Sequence, residues 1–117
     1  MSAFEDIHRA RGAAIRPDGW PMSYGDPVAE LRSIRTSAGL VERTDRVRMI
    51  VEGPDARSYL QRMASCDMDL VAPGRAAAGL ALTPRGKIRA EFTVAQTGDD
   101  RFAILVPAAC AQALADF

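Results

Sequence analysis

Histidine, cysteine and aromatic side chains are scarce in this chain. Its 117 residues include one histidine, two cysteines and one tryptophan, and aromatics make up 6%. One histidine, His8, with Cys66 and Cys110 far apart, cannot supply the four ligands of a closed structural zinc site. Asp99-Asp100 offer oxygens to a harder cation, but paired acids are ordinary at a solvated hairpin turn, so no metal is expected. His8 has no nucleophile motif beside it, which leaves little support for Ser-His-Asp or Cys-His catalysis. No glycine-rich turn sits between a strand and a helix, as a mononucleotide or dinucleotide site would need. Neither charge sign is in surplus, with 15 basic against 15 acidic residues, so general polyanion binding is excluded and no nucleic-acid partner is expected. No apolar run approaches the roughly 18 to 20 residues that cross a membrane. The first residues carry Glu5 and Asp6 where an export signal carries bases. A cytoplasmic, reducing location with unpaired cysteines is the resulting expectation.

What is present is ordinary globular composition, 48% hydrophobic and 26% charged. The length suits one module over 1–117, or a piece of something larger. Phe4, Ile7 and Ala10 suggest a short helix within Ala3 to Ala14, followed by turns at Pro17-Asp18-Gly19-Trp20-Pro21. Asp26-Pro27 is a helix start, with aspartate as cap and proline in the first turn. Val28, Leu31, Ile34 and Ala38 recur at helical spacing as the inward face, and Gly39 suits the C-cap. Val47, Met49 and Val51 alternate as a strand, and Gly53-Pro54-Asp55 opens a helix whose buried stripe is Ala56, Tyr59, Leu60 and Met63.

The last third reads as a meander. Ala76 to Thr83 is a strand and Thr83-Pro84-Arg85-Gly86 a tight connection. Ile88, Ala90, Phe92 and Val94 alternate with Lys87, Arg89, Glu91 and Thr93. Arg101 to Val106 returns after a turn, and Pro107 opens a helix bearing Ala108, Ala111, Leu114 and Phe117 on one side. The fold class is therefore α+β, a small, mostly antiparallel sheet of about four strands with helices packed on one face.

Charge gathers at two turns. Arg43, Arg46 and Arg48 flank Asp45, while Arg85, Lys87 and Arg89 follow Thr83, with Glu91 next on the same strand face. Two readings stand: a solvated sheet face, or a site where guanidinium groups hold the acid of a small ligand.

An ordered series of segments gives these residues a family likeness. Gly19-Trp20-Pro21-Met22, Tyr24, Gly39-Leu40-Val41-Glu42, Thr44-Asp45-Arg46, Gly53-Pro54-Asp55-Ala56 and Thr83-Pro84-Arg85-Gly86-Lys87-Ile88 follow one another without large gaps. Together they resemble the N-terminal portion of the folate-binding aminomethyltransferase superfamily, which holds the glycine-cleavage T-proteins and the YgfZ-type folate-binding proteins. Glu42-Arg43-Thr44-Asp45-Arg46 is nearer the YgfZ-type pattern, and Ala90-Glu91 stands where T-proteins have two aspartates. The resemblance implies tetrahydrofolate as the bound cofactor, with Arg46, Thr83, Lys87 and Arg89 as binding residues and Glu91 as the acid managing the proton. By the same likeness, the YgfZ branch implies a role in iron–sulphur protein maturation and the T-protein branch implies aminomethyl transfer. A non-catalytic module assembling through its sheet edge or apolar final helix is the alternative, with Glu91 as a surface acid paired to Arg89 or Lys87. Family members are longer, so enclosing a folate is expected to require self-association, a second chain or a C-terminal segment.

Overall fold

The computed structural model describes residues 3–117. The chain forms two compact units, an N-terminal unit ending at Asp45 and a sheet unit over Arg46–Phe117.

In the N-terminal unit, helix α1 (Glu5–Ala10) is shorter than the apolar spacing suggests. The turn-rich segment after it is a small hairpin, β1 (Ala14–Ile15) against β2 (Pro21–Ser23). Two main-chain bonds close its loop, Arg16 N–H to Trp20 O at 2.8 Å and Gly19 N–H to Arg16 O at 2.9 Å. Gly19 takes a φ of 86°, which an L side chain would resist. Helix α2 (Pro27–Thr36) starts as the sequence predicts: the Asp26 carboxylate accepts from the Val28 and Ala29 amides at 3.0 and 3.1 Å.

Two expectations for α2 fail. Its last turn is closed at Ser37, whose amide donates to Ser33 O, and Gly39 lies beyond it without the left-handed backbone of a glycine cap. Gly39 is instead a close approach: a Cβ there would lie 2.6 Å from Ile34 Cγ1. The inward stripe is also absent, because Val28, Leu31 and Ile34 are all more than half exposed. Periodicity marks which face is apolar; it does not supply a surface to cover that face.

The sheet unit holds four antiparallel strands, β3 (Arg46–Glu52), β4 (Ala76–Leu82), β5 (Ile88–Gly98) and β6 (Arg101–Pro107), in the order β3-β6-β5-β4. The register sets Met49 against Ile104, Val94 against Ile104, and Gly79 against Phe92, so one face collects the apolar residues of every strand. Helix α3 (Ala56–Met63) leads from the β3 edge toward the β4 edge and buries Ala56 and Leu60 on that face. Tyr59 and Met63, expected in the same stripe, remain about two-fifths exposed. A short 3-10 turn at Met68–Leu70 adds Met68, and Val71 follows.

A second 3-10 turn (Ala108–Cys110) precedes helix α4 (Ala111–Ala115). Leu114 and Phe117 pack against the core of their own sheet, so the apolar end is largely spent within the unit. Arg57 of α3 pins the layers together. Its guanidinium donates to Met68 O at 2.5 Å, Val71 O at 3.0 Å and Gln96 Oε1 at 3.1 Å, and lies 5.2 Å from the Phe102 ring centre.

Candidate functional site

The strands that bury Phe92 and Val94 on one face turn Glu91 and Thr93 to the other. Leu80 lies opposite Glu91 and Ala78 opposite Thr93 on β4. Arg46, the first residue of β3, reaches the same face and sets its guanidinium 3.7 Å from the Glu91 carboxylate. Here the structure unites two residues singled out from sequence. It also names the partner of Glu91 as Arg46, in place of Arg89 or Lys87.

Around this pair is a cleft of about 270 Å³, lined also by Ser65, Ala78 and Thr93. The arginine side chain is 25% exposed and the carboxylate 68%, so water reaches the acid more freely than the base. At 3.7 Å the contact is an ion pair without a tight hydrogen bond, and such exposed pairs stabilise by about 0–1 kcal/mol. It is loosely held, and a ligand donor can take the place of one partner. Ala78 keeps the floor low, since a larger side chain would project on the same sheet face as Thr93.

The remaining predicted residues lie on the β4–β5 hairpin. Thr83 O accepts from the Gly86 amide at 2.8 Å, and its hydroxyl accepts from the Lys87 amide at 3.1 Å. Thr83 is thus occupied in closing the turn, with Gly86 at a φ of 78°. Lys87 and Arg89 are exposed on the hairpin, and neither lines the Arg46–Glu91 cleft. Among the described residues, no group of three or more histidines, cysteines, aspartates and glutamates is placed to hold a metal. No helix among them is long and apolar enough to cross a membrane.

Sequence reasoning missed His8. Its Nδ1 lies 2.5 Å from the Tyr24 hydroxyl and its Nε2 2.5 Å from Glu42 Oε2, while Thr44 Oγ1 donates to the other Glu42 oxygen. The His8 side chain is only 11% exposed and the Glu42 side chain 6%. These residues come from α1, the turn before α2 and the segment after it. No local spacing links them, so nothing short of the tertiary fold reveals the network. Cys66 also has an altered environment: burial, reinforced by the neighbouring Asp67, pushes its thiol pKa up.

Comparison with known proteins bears on this geometry. The model of a family described as the GCVT N-terminal domain matches residues 4–117. An aminomethyltransferase of Bordetella petrii is 33% identical over 110 residues, covering 91% of this chain and 30% of that protein. One from Prosthecochloris aestuarii is 34% identical over 104 residues, covering 86% and 29%. A crystal structure of glycine cleavage system aminomethyltransferase T from Bartonella henselae superposes with a TM-score of 0.67 at 23% identity, over 92% of this chain and 31% of that one. The chain therefore spans about three-tenths of the length of the relatives it matches.

Proposed function

The chain belongs to the GCVT N-terminal domain family, and from that premise we propose that it is a tetrahydrofolate-binding module of the aminomethyltransferase type. The observation that carries the reading is the Arg46–Glu91 pair across a cleft walled by Ser65, Ala78 and Thr93. A cation, a carboxylate and two hydroxyls around a small floor suit the polar edge of a flat nitrogen heterocycle. The cleft, at about 270 Å³, is just below the size of small-molecule sites, so it accommodates one end of a folate and leaves the rest to other protein surface.

In this reading tetrahydrofolate supplies the nitrogens that accept a one-carbon unit. Glu91 hydrogen-bonds donor groups on the ligand and holds a proton near them. Arg46 sets the direction of the Glu91 carboxylate and carries the compensating charge. Lys87 and Arg89, exposed on the hairpin, are free to meet an acidic tail.

The test is anaerobic calorimetric titration of the chain with tetrahydrofolate. Binding at about micromolar strength is expected, weakened about ten-fold or more by Arg46→Ala, the equivalent of ~1.4 kcal/mol. A folded chain that releases no heat, or an Arg46→Ala variant that binds as well as the parent, defeats the proposal.

A second reading rests on Arg46 and on the alanine at position 90. If the module serves iron–sulphur protein maturation, Glu91→Gln leaves its cellular role intact while Arg46→Ala abolishes it. Loss of that role with both variants favours transfer chemistry.

A further inference from the structure

One cavity in the N-terminal unit has no part in the folate reading. Its volume is about 560 Å³, about twice that of the Arg46–Glu91 cleft, and all its lining residues come from this unit. Phe4, Ile7 and Trp20 form apolar walls, and Arg11 stands at its border. We propose that this cavity is a binding site for a small apolar carboxylate, its hydrocarbon body held by Phe4, Ile7 and Trp20 and its acid group by Arg11.

Two features support the assignment. First, the cavity is preformed. Hydrogen bonds between His8 and Tyr24 and between His8 and Glu42 tie three wall segments together, and among the described residues no buried side-chain polar atom is left without a partner. An apolar hollow would otherwise collapse on itself. Held open, it spares a ligand the ordering cost that a closed or mobile pocket exacts. Second, the charge is selective. Of the two arginines at the cavity, Arg43 is engaged by both oxygens of Asp45, at 2.9 and 3.2 Å. Arg11 forms no ion pair among the described residues, and its exposed guanidinium keeps its planar donor set for a carboxylate. Apolar walls with one unengaged cation select an acid with a hydrophobic body over an amine or a polyanion.

The probe is 3-phenylpropionate, with 3-phenylpropan-1-ol as the uncharged control, followed by two-dimensional amide NMR of the whole chain. Expected are saturable shifts confined to residues lining the cavity. The acid should bind about ten-fold or more tightly than the alcohol, and Arg11→Ala should erase that preference while leaving alcohol binding intact. Ile7→Trp, a change at a half-exposed position, fills the space and should abolish both without unfolding the unit. No saturable shift up to about 10 mM overturns the proposal. So does equal binding of acid and alcohol, or binding that survives Ile7→Trp.

Discussion

Among the described residues, the buried apolar side chains all belong to the sheet unit, from Ala56 to Val106. The N-terminal unit buries the imidazole of His8 and leaves Val28, Leu31, Ile34, Leu40 and Val41 exposed. One unit rests on area removed from water, a force without direction that tolerates exchange among similar shapes. The other leans on a few directed hydrogen bonds, where each partner matters because the others have been desolvated around it. Stability and recognition are divided accordingly. The sheet unit is a rigid platform with a shallow charged cleft, and the N-terminal unit holds an open apolar hollow with little core beneath it.

The comparison breaks most visibly at Phe102, which is 1% exposed. Phe102→Ala should cost the sheet unit about 3–5 kcal/mol. In urea unfolding followed by amide signals, β5 and β6 should melt early, while the Trp20 signal of the N-terminal unit moves less. Equal shifts in both would mean that the units unfold as one. Next comes Arg57, the polar exception inside the apolar unit. Arg57→Ala strips donors from Met68 O and Val71 O, for an expected loss of about 2–4 kcal/mol. Arg57→Lys should recover only part of it, because an ammonium cannot reproduce the fork. Full recovery would reduce the interaction to simple charge.

His8→Ala tests the opposite unit. Removing the imidazole takes one hydrogen-bond partner from the largely buried Glu42 carboxylate, and about 1–3 kcal/mol should disappear. Trp20 fluorescence should report an earlier transition while the sheet amides hold their protection. A loss confined to the sheet would contradict the division. The smallest effect is at Cys66. Burial and Asp67 keep its thiol protonated beyond the ordinary thiol range, so alkylation at mildly alkaline pH should run slower in the folded chain than in urea. With the folded pKa raised, this group's contribution is complete below the unfolded thiol's pKa and fades as pH rises through the folded one. A folded-state rate equal to that in urea would remove the effect.

Much of the sheet unit is legible in local pattern. The alternation of β5 gives its faces, and Gly86 gives the turn before it; both are properties of a few neighbouring residues. The Arg46–Glu91 pair is only half legible, since period two assigns Glu91 a face and β3 joins β5 through β6. The His8 network and the Arg57 pin are not legible at all. Each depends on residues brought together across long stretches of chain, and neither leaves a period to find. The helix α2 misleads for a different reason: its apolar positions are real, but Val28, Leu31 and Ile34 stay more than half exposed.

The strand order has a consequence in time. Strands β4, β5 and β6 follow one another as hairpins, whereas β3 closes onto β6 by pairing residues as distant as Arg46 and Pro107. Short loops close cheaply and long ones late, so the expected order is the meander first, with β3 joining it afterwards. Although Arg46 leaves the ribosome long before Glu91, it has no acid to face until the final strand is in place. Because β6 lies between β3 and β5, a chain stalled short of β6 would have both charged residues and no site.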